Sequence, residues 1–263
     1  MKSSAKYVAK PIDDAGYIEW TEQENATWQH LCERQHEQVK AYACEEYIRG
    51  LEALDLPQDR VPQLAEVDEV LLSTTGWSIA PVPALINFDH FFSLLANKKF
   101  PVATFIRTPQ DMDYLQEPDI FHEIFGHCPM LTHPDFAHFT HIYGQLGKKA
   151  NAKQRIYLAR LYWFTVEFGL LQQQGERKIY GGGILSSPEE TRYAMFSDKP
   201  RRCRFDIDNV LRTPYRIDEL QPQYFEIETI SALFELSKLD IMAHVDEAIS
   251  LGLFDAEAIS RVC

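Results

Sequence analysis

The sequence predicts a single α+β domain, predominantly helical, with a few short strands. Three observations carry that expectation. Apolar residues recur at helical spacing through several long segments. The β-like runs are short and bounded by Gly or Pro. No internal repeat, low-complexity linker or shift of composition divides the 263 residues, so one domain spanning 1–263 is the expectation, from a length that would also allow two.

Residues 1–20 lack periodicity and contain Pro11 and Gly16, which suggests an arm over the surface, pinned by Tyr17, Ile18 and Trp20. Residues 22–49 place Trp28, Leu31, Val39, Tyr42, Ala43, Tyr47 and Ile48 on one helical face, and Gly50 is the expected stop. Pro57 and Pro62 bracket a loop, and a short helix follows over 64–72. From 74 to 107 the chain reads as a loop-rich wall punctuated by Gly76, Pro81 and Pro83, with a helix in FDHFFSLLANKKF and a β-like run in PVATFIR. Aromatics Trp77, Phe88, Phe91 and Phe92 line it, and loops on a rigid scaffold tend to carry binding residues.

A polar loop covers 108–117. Helices are expected over 133–147 and 154–174, with a polar break between them and a turn with a short strand in GERKIYGGG. Ser187-Pro188-Glu189-Glu190 reads as a capping box with proline in the first turn. RFDIDNVLRTPYRI reads as two short strands around a turn, and 229–249 as one amphipathic helix.

Apolar content of 45% and charged content of 25% are ordinary for a globular protein, whereas 12% aromatic is rich enough to line a pocket. The formal charge of −13 argues against a nucleic-acid backbone or an anionic membrane surface as the main partner. Five cysteines with no CxxC pair read as free thiols. The N-terminus lacks the apolar core of a signal peptide, and no run approaches the ~18 apolar residues of a membrane span. A cytoplasmic location follows as an expectation.

The segment PDIFHEIFGHCPM, 118–130, sets two histidines and a glutamate among apolar residues. Five residues along an α-helix turn roughly 500°, so His122 and His127 would point about 140° apart. The zinc-peptidase pattern HExxH needs a spacing of four, where this chain has Gly126. Convergence therefore requires a break. Gly126 can end the helix in a left-handed conformation, and Pro129 disfavours the α region at Cys128. Asp119 is the expected N-cap.

In YWFTVEFGLL, Glu167 has Trp163, Phe164, Leu170 and Leu171 as its helical neighbours, all apolar. A buried carboxylate normally protonates or finds a cation. Arg160 lies about 10 Å back along the axis. Two histidines, one carboxylate and open positions match the facial triad of non-haem Fe(II) oxygenases. Each residue alone also has a plainer reading: a hydrogen-bonded core histidine, or a glutamate paired with arginine. Their conjunction points to a metal, and spacing alone leaves both readings open.

These motifs resemble the pterin-dependent aromatic amino acid hydroxylases, and their bacterial phenylalanine 4-hydroxylase branch in particular. The likeness runs from about 76 to 225 through TGWSIAPV, FPVATFIR, PDIFHEIFGH, YWFTVEFGL, YGGGILSS and QPQYF. The resemblance implies the aromatic amino acid hydroxylase type of catalytic domain, and a monooxygenase that converts L-phenylalanine to L-tyrosine with Fe(II), a tetrahydropterin and O2. It puts the iron ligands on His122, His127 and Glu167. It implies that Phe91 stacks on the pterin, with Leu85, Ile86, Ala159 and Tyr162 nearby. Glu123, otherwise an exposed helix residue, would sit beside the pterin. Arg107 would hold the substrate carboxylate, Trp163 and Phe168 would line the amino acid pocket, and Ser186 would support the ligands.

One departure stands out. Mammalian members read Tyr-Thr-Pro-Glu-Pro-Asp before the first ligand, and this chain reads Tyr114-Leu115-Gln116-Glu117-Pro118-Asp119. Leu115 thus replaces a threonine that can help bind the substrate carboxylate. The length leaves no room for regulatory or tetramerisation segments, which implies a monomer. Three other features are weaker candidates for chemistry. His133-Pro134-Asp135 spells an HxD motif but opens a helix. His138 and His141 share a helix face without a third ligand. Gly181-Gly182-Gly183 lacks the Lys-Ser/Thr of a phosphate loop and reads as a flexible turn.

Overall fold

The computed structural model describes residues 7–113, 115 and 117–255. Residues 1–6 of the expected arm, Tyr114, Gln116 and Cys263 lie outside them. Helix α1 (Glu22–Tyr42) starts at a Thr21 cap that pairs reciprocally with Glu24. Its chain then breaks at Ala43 and Cys44, and α2 (Glu45–Leu54) begins. Next come α3 (Leu64–Thr74), strand β1 (Ser78–Val82), α4 (Phe88–Leu95) and β2 (Lys99–Ala103). A π-helical segment, Phe121–His127, runs straight into the single turn α5 (Cys128–Leu131). Helices α6 (Pro134–Lys149) and α7 (Ala152–Tyr162) follow, and α7 passes into a second π-helical segment, Trp163–Glu167. The remainder is β3 (Gly169–Gln173), β4 (Glu176–Ile179), α8 (Gly182–Leu185), α9 (Pro188–Phe196), β5 (Arg201–Arg204), α10 (Ile207–Arg212), β6 (Gln223–Ile227), α11 (Ser231–Leu236) and α12 (Ile241–Leu251).

The strands form a parallel β1–β2 pair and a four-stranded sheet ordered β4-β3-β6-β5. In that sheet β3 is antiparallel to β4, and β6 runs parallel to both β3 and β5. One contiguous cluster of buried apolar residues reaches from Ile18 to Ala248. The α+β, mainly helical fold is as the sequence predicts.

Several elements differ from the sequence reading, each for a physical reason. The expected helix over 22–49 is two helices, because Ala43 bridges Ile179 and the Cys44 N–H donates to the Ile179 carbonyl at 2.9 Å. Gly50 does not stop a helix. It lies inside α2, where an added Cβ would stand 2.0 Å from the Pro129 carbonyl oxygen, so it is the point of closest approach between α2 and α5. SIAPV, within the expected loop-rich wall, is β1, paired in parallel with β2. The helix expected over 154–174 ends at Phe168, and its last apolar residues form β3. RFDIDNVLRTPYRI contains α10 rather than a strand pair, because the Asp206 side chain caps it by accepting from the Asn209 N–H at 2.9 Å. The C-terminal helix is split into α11 and α12. Ser187 caps α9, but the Glu190 carboxylate does not complete the box; it turns inward instead. Ile18 is fully buried and exchanges backbone hydrogen bonds with the Gln63 side chain, while Tyr17 is exposed. Cys32, Cys44 and Cys128 are free and buried, whereas Cys203 is disulfide-bonded, against the expectation of free thiols throughout.

Candidate metal centre

His122 and His127 converge without a break in the helix. Gly126 is not left-handed, and Cys128 has helical φ and ψ of −61° and −33°. The turn widens instead. In a π-helix the hydrogen bond spans five residues, so side chains five apart come to one side. Pro129 contributes by what it lacks. The Phe125 carbonyl would meet an N–H at residue 129 in an α-helix, and proline has none. The Tyr47 hydroxyl donates to that carbonyl at 2.5 Å. Asp119 anchors the start of the segment, its Oδ1 accepting from the His122 N–H at 3.0 Å. The second π segment ends in the same way at the other ligand candidate: the Phe168 N–H donates to the Trp163 carbonyl at 2.8 Å, five residues back.

These two wide turns bring three donor atoms together. His122 Nε2 and His127 Nε2 are 3.1 Å apart, and Glu167 Oε2 stands 3.3 Å from His127 Nε2 and 3.6 Å from His122 Nε2. Metal bonds of ~2.1 Å at right angles set neighbouring donors about 3 Å apart. The triangle therefore fits one face of an octahedral ion. Glu123 also comes within 4.8 Å of both ring nitrogens, but Glu167 is nearer to each and is the better third donor.

Charge states agree with metal binding. Burial pushes His122 down to about 4 against the pull of Glu167, leaving a neutral imidazole with a free lone pair. Its Nδ1 lies 2.9 Å from Ser186 Oγ, which fixes the ring and turns Nε2 toward Glu167. Burial opposes the charge on Glu167, but His127 and His122 outweigh it and hold the carboxyl below its ordinary range. Glu123 goes the other way: burial raises it well above the carboxylate range, and Glu167 and Asp119 add to the rise.

The triple glycine is no flexible turn. All of α8 is buried, and the glycines lie against the two ligand candidates that come from different helices. A Cβ on Gly182 would stand 2.5 Å from His127 Nδ1, and one on Gly183 would stand 3.0 Å from Glu167 Oε2. The missing side chains are what let imidazole and carboxylate seat against backbone. His127 Nδ1 is buried and has no hydrogen-bond partner among the described residues. A glycine run lacking phosphate-loop residues, more than fifty residues after the histidines, gives no local sign of this role.

The other residues singled out in the sequence fall around this centre. Arg107 is 7% exposed and pairs with the fully buried Asp119. Its Nε donates to Oδ2 at 2.8 Å and its Nη2 to Oδ1 at 2.9 Å. Asp119 is thus shared between Arg107 and the backbone of His122. The ring of Phe91 meets Tyr162 edge-on at 5.4 Å. Burial raises the Tyr162 phenol, with Glu167 and Glu123 adding to it, which places the ring in the field of both carboxylates. Ala159 is half-buried, one turn before Tyr162. Leu85 and Ile86 lie on the loop before α4, with Leu85 64% exposed. Trp163 packs on Phe168 at 4.5 Å. Leu115 is half-buried.

The weaker candidates lie elsewhere. Asp135 accepts from Ser231 Oγ at 2.6 Å, His138 packs on Phe234, and His141 Nδ1 faces the Leu95 carbonyl at 3.3 Å.

Comparison with known proteins agrees with this arrangement. Residues 3–245 match the biopterin-dependent aromatic amino acid hydroxylase family. A phenylalanine-4-hydroxylase of Vibrio cholerae is 60% identical over 96% of this chain and 87% of its own. The apo structure of the cold-active phenylalanine hydroxylase of Colwellia psychrerythraea 34H superposes with a TM-score of 0.93, at 54% identity, covering 98% of this chain and 100% of that one. The Chromobacterium violaceum phenylalanine hydroxylase with bound oxidized Fe(III) gives 0.87 at 42% identity, over 89% of this chain and 86% of that one. With a match over nearly its whole length and a triangle of two histidines and one carboxylate built on two π turns, the chain belongs to the biopterin-dependent aromatic amino acid hydroxylases.

Proposed function

We propose that this enzyme hydroxylates L-phenylalanine to L-tyrosine, using Fe(II), a tetrahydropterin and O2. The observation that carries the reading is the donor triangle of 3.1, 3.3 and 3.6 Å between His122, His127 and Glu167. His122, His127 and Glu167 would hold the ion from one side and leave it open positions for O2 chemistry. When bound, the iron and the reduced pterin together supply the chemistry that activates O2.

The chain's own residues bind, orient and exclude water. Ser186 holds the His122 tautomer through Nδ1. Arg107 is the carboxylate anchor for the amino acid. Asp119 occupies its Nε edge, which leaves Nη1 for a second carboxylate in a charge-assisted bond. Trp163 and Phe168, packed on each other at a tilt beside Glu167, form the wall for the aromatic ring. Phe91 offers its face to the pterin, supported by Tyr162 edge-on, with Leu85, Ile86 and Ala159 on the same side. Glu123 lies within the field of Glu167 and is assigned to the pterin side. Fixing both reactants against the ion supplies proximity and orientation, which can account for much of a rate enhancement.

We extend the proposal to a monomer in the cytoplasm. A formal charge of −13 disfavours self-association, and three described cysteines are buried free thiols, while Cys203 is disulfide-bonded. Among the described residues no helix is long and apolar enough to cross a membrane.

The test is direct. Purified protein with Fe(II), tetrahydropterin, phenylalanine and air should form tyrosine, and His122→Ala should lose iron and activity together. No tyrosine with iron bound, or His122→Ala retaining both, overturns the assignment.

A further inference from the structure

A buried polar chain outside the metal centre ends on Trp163. The indole Nε1–H donates to Gln221 Oε1 at 2.9 Å. Gln221 Nε2 donates to the carbonyls of Arg216 at 2.9 Å and Glu219 at 3.1 Å. The Gln221 backbone N–H donates to Glu190 Oε1 at 3.2 Å, and the same oxygen accepts from the Tyr224 hydroxyl at 2.5 Å. Gln221 is 2% exposed, Glu190 6%, and Tyr224 fully buried. An indole can only donate and a backbone carbonyl can only accept, so the orientation of the Gln221 amide is fixed by its partners.

The loop that Gln221 closes delivers a second aromatic. Tyr215 stacks on Trp163 with ring centroids 4.4 Å apart and planes 18° apart, while Phe168 packs at 4.5 Å and 35°. Stacking fixes the plane of a ring but resists sliding and in-plane rotation weakly. Among the described residues the one hydrogen bond of the Trp163 side chain is that of its indole N–H. A glutamine is suited to the position because one short side chain must accept once and donate twice. Glutamate lacks the donors, and methionine or leucine lacks both.

We propose that Gln221 is a positioning residue for the amino acid side of the site: through the indole N–H it sets the edge that Trp163 presents to the substrate ring. The proposal rests on the reading of Trp163 as a wall of the substrate pocket. Gln221 hydrogen-bonds to none of the three ligand candidates, so its effect should be confined to substrate binding.

The experiment compares Gln221→Met, Trp163→Phe, the double variant and Trp163→Leu in the iron-loaded enzyme. It measures KM for phenylalanine, kcat, KM for the pterin and bound iron. Gln221→Met removes the bond from the indole together with the two to the Arg216 and Glu219 carbonyls, and should raise KM for phenylalanine about 3- to 10-fold, with pterin KM and iron content unchanged. Trp163→Phe lacks the N–H and should raise KM similarly. Adding Gln221→Met to it should then cost less than about twofold, because the bond is already gone. Full additivity, or an unchanged KM in Gln221→Met beside a raised KM in Trp163→Leu, overturns the positioning role. An unchanged KM in Trp163→Leu removes the pocket reading itself. Should Gln221→Met fail to fold, Trp163→Phe decides alone, and a wild-type KM there overturns the proposal.

Discussion

Gly182→Ala should disable the metal centre by adding one methyl group. The added Cβ would lie 2.5 Å from His127 Nδ1, 2.6 Å from Cε1 and 2.7 Å from Cγ. Carbon contacts settle at roughly 3.5–4.0 Å, so ring and backbone must separate by about 1 Å. Metal–nitrogen distances tolerate only about 0.2 Å. On another side the ring meets Phe100, a buried core residue, at 5.4 Å between centroids, which limits its retreat. Gly182 has no positive φ, so alanine brings no backbone strain and the clash is the whole effect. Disturbing a ligand's support typically lowers metal affinity about 10- to 100-fold, which equals about 1.4–2.8 kcal/mol. Titration of the apo-protein with Fe(II) by calorimetry measures it, with the apo Tm as a check on folding. A folded Gly182→Ala protein that binds Fe(II) as tightly as wild type would refute the reasoning.

Two further predictions concern buried charge. Asp119→Ala leaves the Arg107 guanidinium buried without its bidentate partner and should destabilise the fold by about 3–5 kcal/mol; urea unfolding that shows less than about 1 kcal/mol would mean Arg107 finds another anion. Glu190 is raised from an ordinary 4.5 to about 7, burial outweighing its bonds from Tyr224 and Gln221. A raised carboxyl contributes stability that is complete below the unfolded value and is lost as pH climbs through the folded one. Wild type should therefore lose about 3 kcal/mol relative to Glu190→Gln between about pH 4.5 and 8, and a pH-independent difference would exclude this assignment.

The sequence exposes the three ligand candidates because polar groups in apolar runs need partners, and the structure brings all three within 3.6 Å of one another. It also exposes the helix caps at Asp119 and Ser187, where side chain and spacing are local. What it hides is non-local. A π turn has no composition of its own, so the spacing between His122 and His127 suggests a helix stop at Gly126 rather than a wider turn. Leu170 and Leu171 fit a helix face as well as a strand, and only pairing with Ile179 and Ile227 decides it. The glycines at 181–183 look permissive until His127 and Glu167 are seen lying against them.

One residue of spacing separates this segment from another metal-binding pattern. Without Gly126 the segment would read His-Glu-Ile-Phe-His, the spacing of four at which an ordinary α-helix presents two histidines to one ion with a glutamate beside them. That is the arrangement of zinc hydrolases, built from side chains already present here. The extra glycine turns the second imidazole toward Glu167 on a separate helix and takes Glu123 out of the general-base position of that pattern. One residue of spacing keeps the same chemical groups and changes the angle at which the two imidazoles meet.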